Sequence, residues 1–162
     1  MAAVDYFLKL EGVDGESEDS GHKGEIDVES FSFGVSNAGS HAGGGGGGAG
    51  KAVFQDFHFV QKVHKGSPIL LLNCATGKHI AKATLTCRKA GGEQIEFLVV
   101  TMTDLLVSSF QTGGSGGSDI VPMEQISLNY AKIEFAYHAQ KKDGTAAAPV
   151  KSGYDIKLNK KV

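Results

Sequence analysis

Two stretches of this chain alternate apolar and polar residues and then change parity midway, and this constrains the fold more than any other feature. Between residues 25 and 36, Ile26 and Val28 are apolar at even positions, whereas Phe31, Phe33 and Val35 are apolar at odd ones. Between residues 126 and 137, Ile126, Leu128 and Tyr130 give way to Ile133, Phe135 and Tyr137. Successive side chains of a strand point to opposite faces, so a strict period of two cannot bury both sets on one side. A bulge near Glu29 and Ser30, or a strand that passes from one sheet to another, resolves the first switch. A bend near Ala131 and Lys132 resolves the second. Strands bent in this way turn the corners of two packed sheets. Past the first switch, Ser30, Ser32 and Gly34 lie opposite the phenylalanines, on a face that is small and polar.

The other segments read as strands with one helix. Val4, Tyr6, Leu8 and Leu10 alternate with Asp5, Lys9 and Glu11, the mark of a half-buried strand. Residues 14–24, rich in Gly, Ser and Asp, read as a loop. Val53, Phe57, Phe59 and Val63 share one parity, interrupted by Gln55 and Gln61. Gly66-Ser67-Pro68 opens a short helix, with Ser67 as N-cap, Pro68 as first helical residue and Gly77 as the stop. From 79 to 89, Ala81, Ala83, Leu85 and Cys87 are expected inward and Lys82, Thr84, Thr86 and Arg88 outward, with a hairpin turn at Gly91-Gly92. Residues 95–102 are apolar at nearly every position, as in a strand buried on both faces, and the run continues to Phe110. Tyr154, Ile156 and Leu158 form a last strand. The sum is an all-β chain, a small barrel of two packed, antiparallel-rich sheets with one short flanking α-helix.

Composition excludes several functions. The 162 residues suit one domain spanning 1–162. Net charge is −2 and Arg88 is the sole arginine, so the basic stripe of a nucleic-acid binder is missing. The first eleven residues carry no basic n-region, and no apolar run could span a bilayer. The expectation is a chain made in the cytoplasm, without stable membrane insertion, that leaves the cell, if it does, without a cleaved signal peptide.

Gly43, Gly44, Gly45, Gly46, Gly47 and Gly48 are consecutive, flanked by His41, Ala49 and Lys51. Such a run has no side chains to pack and much backbone entropy to lose. It lacks the strand-then-helix setting of a phosphate loop, which points to a surface arm that contacts another molecule.

Reactive chemistry is sparse. None of the six histidines has metal-ligand spacing, and neither HExxH nor CxxC occurs. No metal or cofactor is expected. Cys74 and Cys87 read as reduced, buried thiols. Cys74 with His79 could be imagined as the nucleophile and base of a small hydrolase, but Cys74 sits in the apolar helix. A third reading is a soluble β-barrel that binds a sugar or small ligand on Tyr6, Tyr130 or Tyr154. Enzyme is the minority reading, and the expectation is a non-catalytic protein.

Several segments, in one order, resemble the Hcp (haemolysin-coregulated protein) family. These are Gly15-Glu16-Ser17, His22, Glu25-Ile26-Asp27-Val28, Phe31-Ser32-Phe33-Gly34, the glycine run to Lys51, and Gly77-Lys78-His79. Arg88-Lys89-Ala90-Gly91-Gly92, Leu106-Val107-Ser108-Ser109 and Thr112 to Gly117 complete the series. Family members often carry tryptophan near Phe31 and Phe33, and this chain has none. The resemblance implies the inner-tube protein of the bacterial type VI secretion system. It implies a homohexameric ring stacked into a tube, exported from the cell, with effectors carried in the lumen. The sheath, baseplate and spike of the machine are its further partners. Ser30 and Ser32 would then face the lumen. His41, the six glycines and Lys51 would form the loop that reaches the neighbouring ring.

Overall fold

The computed structural model describes residues 4–39, 50–90, 92–117 and 121–162. Eleven strands and one helix follow in order: β1 (Val4–Leu10), β2 (Ile26–Val28), β3 (Ser30–Ser32), β4 (Val35–Asn37), β5 (Ala52–Phe54), β6 (Phe57–Lys62), α1 (Ser67–Thr76), β7 (Ile80–Lys89), β8 (Glu96–Gly113), β9 (Met123–Tyr137), β10 (Val150–Asp155) and β11 (Lys160–Lys161). All strand pairs are antiparallel.

Two long strands, β8 and β9, pair with each other from Leu98↔Tyr137 to Gly113↔Met123 and run through both layers. Their outer halves continue into β7, β1 and β2 on one side and β10 and β11 on the other. Their inner halves continue into β6 and then β3, so the inner layer reads β3-β6-β9-β8. The ladder is therefore one bent nine-stranded sheet rather than a closed barrel, with β4 and β5 as a separate ribbon. Between the layers lies the apolar core, which includes Leu8, Ile26, Phe57, Phe59, Leu85, Met102, Ile126 and Leu128.

Both parity switches are corners. At Glu29 the chain leaves β1, to which β2 is paired, and joins β6 through β3. In β9, Ala131 sits at the junction where the partner changes from β6 to β10. The facing bend in β8 was not expected. Asp104 takes a left-handed φ of 52°, a conformation Asp tolerates better than most residues, and it faces Ala131 between Thr103↔Lys132 and Leu105↔Tyr130. That bend shifts the parity, so that Leu105 and Val107 follow Val100 and Met102 into the core, and a bulge at Ser108 then restores the original parity.

Other expectations are corrected. The strand expected through residues 53–63 is split at Gln55 and Asp56, and Gln61, read as an interruption, is fully buried. Residues 95–102 are not buried on both faces: Val99 and Thr101 remain half-exposed. The strand expected over Tyr154, Ile156 and Leu158 comes earlier, at Val150–Asp155, leaving Ile156 and the exposed Leu158 in a turn before the two-residue β11. Phe135 and Tyr137 point past the end of the core and are exposed. Gly66, not Ser67, caps α1, and Pro68 is its second residue. Gly77 ends the helix as expected, at φ 65° with its N–H on the Asn73 carbonyl.

On β7, Ala81 is exposed, whereas Thr86 and Arg88, expected outward, are buried. The cause is the 14–24 loop, which folds back over that face. Gly15 N–H donates to the Gly24 carbonyl of its return limb, Ser17 N–H donates to the Glu25 carbonyl, and Gly24 N–H donates back to the Ser17 carbonyl. Asp19 accepts both guanidinium arms of Arg88, at 2.9 Å (Nη1) and 2.6 Å (Nη2), and Asp5 takes a third bond at 3.3 Å. Phe7 stacks on His22 at 4.4 Å and carries the guanidinium of Arg88 over its ring. The His22 ring nitrogens in turn meet Glu25 at 2.9 Å and Glu96 at 2.8 Å.

Candidate functional site

The inner layer has one apolar and one polar face. Phe31, Phe59 and Ile126 sit on the core side, where Phe31 packs on Tyr6 and Phe57. Directly paired residues share a face, so the opposite side can be read across the strands. One row is Ser32, His58, Ser127 and Ser109; the next is Ser30, Val60, Gln125 and Gln111. Ser30 and Ser32 are exposed, as their parity predicts. His58 and Ser127 share a 3.2 Å hydrogen bond within the row. These two rows consist of serines, glutamines, Val60 and His58, and the exposed Lys62, two residues beyond Val60, begins the next row.

Sequence reasoning found two of these residues and missed the rest. Ser109 and Ser127 lie about 80 and 95 positions from Ser32 (a separation no periodicity can bridge) and are brought beside it by the register of β6, β9 and β8. Asp56 was also missed. Its carboxylate accepts the Ser108 hydroxyl at 2.6 Å and the Asn129 amide at 2.9 Å. It thereby ties the bulge of β8 to the stretch of β9 just before its bend. Beside it the Tyr130 hydroxyl donates to the Gln55 carbonyl at 2.7 Å, and burial with the nearby Asp56 charge pushes that phenol up to about 12. An aspartate between Phe54 and Phe57 was the available signal.

The two edges of this sheet differ. Among the described residues β3 pairs only with β6, and beyond Leu105 the strand β8 pairs only with β9. Among the described residues the inner layer thus ends in two edge strands, Ser30–Ser32 on one side and the part of β8 beyond Leu105 on the other.

The beginning of α1 is anchored to the inner sheet by a buried polar chain. Gln61 donates to Glu124 at 3.0 Å, the Ser67 hydroxyl donates to the same carboxylate oxygen, and His64 contacts Gln61 at 2.8 Å. Gly66 N–H donates to His64 Nδ1 at 2.9 Å, which makes that nitrogen the acceptor and leaves Nε2 to donate to Gln61. Burial lowers the pKa of His64, consistent with this neutral ring.

Of the ring-stacking candidates, His41, Gly43, Gly44, Gly45, Gly46, Gly47 and Gly48 lie outside the described residues; Lys51 is exposed at the foot of that segment. The hydrolase pair is not assembled: His79 bonds Asp104 at 3.2 Å, and no hydrogen bond joins it to Cys74. Cys74 is half-buried rather than buried, while Cys87 is inaccessible and burial pushes its thiol up to about 12. The three tyrosines considered as a ligand platform are each engaged within the fold. Tyr130 is buried, Tyr6 packs edge-on against Phe31, and Tyr154 stacks on Phe54.

A bent antiparallel sheet with one flanking helix places the chain among all-β proteins. Comparison with known proteins narrows this. The family described as "Type VI secretion system effector, Hcp" matches residues 7–137. The chain is 48% identical over 159 residues to Protein hcp1 of Pseudomonas aeruginosa, covering 97% of this chain and 98% of that one. Hcp1 from Salmonella typhimurium superimposes with a TM-score of 0.84 at 36% identity over the full length of both chains. A solved type six secretion system protein reaches a TM-score of 0.92 at 31% identity, covering 99% of this chain and 100% of that one. The chain belongs to the Hcp family of type VI secretion proteins. Among the described residues no helix is long and apolar enough to cross a membrane.

Proposed function

We propose that the chain is a non-catalytic tube subunit, residues 1–162 acting as one tube domain, and that six copies close into a ring whose bore is the polar face of the inner layer. One observation carries the reading: among the described residues the inner sheet is open at two different edges, β3 and the end of β8. An exposed strand edge is a liability in a lone protein. Two unlike edges on one sheet allow head-to-tail pairing, a heterologous contact that closes when its rotation divides a full turn. Continuing the sheet from copy to copy would put the Ser32, His58, Ser127, Ser109 row all around one surface. Membership of the Hcp family supports the same arrangement.

Short hydroxyl side chains donate and accept without bulk, so such a bore can hold effectors of varied surface while tolerating their differences. Rings would stack through the 41–51 segment. Ordering a glycine run on contact costs entropy, which keeps stacking weak and reversible. The tube would be made in the cytoplasm, engage sheath, baseplate and spike components, and be exported without a cleaved signal peptide.

Size-exclusion chromatography with light scattering tests the ring. A single species of six-fold chain mass is expected at micromolar concentration, and a monodisperse monomer would sink the proposal.

A further inference from the structure

Helix α1 is amphipathic in the opposite sense to a helix that only covers its own sheet. Its buried positions are Ser67, Leu70 and Asn73, two of them polar. Ile69, Leu71 and Leu72, on the outer side, are 41%, 52% and 57% exposed. An apolar ridge of this kind on a surface helix marks a contact with something else.

Its position says what that is. The start of α1 is tied through Ser67 to Glu124, whose partner on β8 is Thr112. Its end leads into Ile80, which pairs with Leu105 of β8. The helix therefore runs beside β8 from Thr112 back to Leu105, and β8 is the element it packs against. That is the stretch of β8 whose outer edge has no strand partner among the described residues.

We infer that the ridge of Ile69, Leu71 and Leu72 is the outer layer of the seam between copies, covered by the β3 side of the next copy. This rests on the ring proposed above: bringing β8 of one copy to β3 of the next also brings α1 to what flanks β3. The chain directly after β3 enters the β4–β5 ribbon, where Val35 and Val53 are exposed. Apolar ridge then meets apolar ribbon. Strand-edge hydrogen bonds set the register of the seam but contribute little net free energy. Burial of the leucines supplies the drive.

The test is the double variant Leu71→Glu/Leu72→Glu beside the parent, by light scattering over a concentration series, with far-UV circular dichroism as the fold control. Glutamate is a good helix former at exposed sites. The parent is expected as a ring and the variant as a folded monomer, with the dissociation concentration raised by roughly a hundredfold or more. Rings of parental stability from the variant overturn the seam assignment and leave the ring reading standing; a monomeric parent overturns the ring reading itself, and the seam with it. Variant rings that form normally but fail in secretion also overturn it, by giving the ridge to another partner. If the double variant loses its sheet signal, Leu72→Gln alone decides: a rise of about tenfold in the dissociation concentration supports the seam, and no change overturns it.

Discussion

The molecule has two polar faces of similar origin, one on each layer, and they have opposite fates. On the outer layer, the face of β7 that carries Thr86 and Arg88 is sealed by the 14–24 loop and pinned by Asp19. On the inner layer, the face that carries Ser30, Ser32 and Ser109 is bare. The sealed face is held by long charged side chains that must be paired once water is removed. At Ser30, Ser32 and Ser109 the bare face has short neutral side chains that lose little when another surface arrives. A polar face covered by its own chain is part of stability, and one left open is free for assembly or cargo.

The comparison breaks most visibly at Arg88. Arg88→Ala should cost about 2–4 kcal/mol, because it leaves Asp5 and Asp19 unpaired and uncovers Phe7. Urea unfolding measures this, and a change under 0.5 kcal/mol would place the sealed face outside the stability of the fold.

The next effect is one of pH. The Arg88 guanidinium beside Asp19, with the Gly21 N–H, holds the Asp19 carboxyl down to about 2. A carboxyl lowered in the folded state contributes stability that is present above its ordinary value near 4 and is lost as pH falls toward 2. Asp19→Asn should flatten thermal stability across that window relative to the parent, while leaving any loss at higher pH. Below about pH 6.5 the neutral His64 is expected to add a separate, earlier loss, because burial lowers its pKa and the unfolded chain takes up the proton first. A melting curve series from pH 8 to 2 on parent and Asp19→Asn separates the two windows, and identical profiles would remove Asp19 from the account.

Thiol labelling of the native protein should distinguish a buried from a half-buried site. Cys87 should resist alkylation throughout, whereas Cys74 should label slowly. Equal rates at both positions would show that the core opens as a whole.

The smallest effect on stability is expected on the bare face. Ser32→Gln should change unfolding free energy by no more than about 0.5 kcal/mol and leave the ring intact. Effector recovered with the purified ring should nevertheless fall, since each symmetry-related copy would crowd the bore at once. Equal recovery from parent and variant would move cargo away from Ser32.

Period-two alternation was enough to establish the all-β class and both parity switches, because burial on one side of a strand leaves a local mark every second residue. The same marks placed Phe31 on the core side and Ser30 and Ser32 on the other. The helix was legible from Pro68 and Gly77, whose backbones are restricted or permissive wherever they occur. Cooperation between distant segments was not legible. Nothing local says that Ser109 and Ser127 complete the row begun by Ser32, or that Asp56 ties the bulge of β8 to β9. Nor does local pattern reveal that a polar loop will bury Arg88, since its parity is that of an exposed residue. Parity tells which side of a strand a residue takes, but only the packed chain decides whether that side meets water, a loop or a second copy, because burial depends on segments that sequence spacing does not bring together.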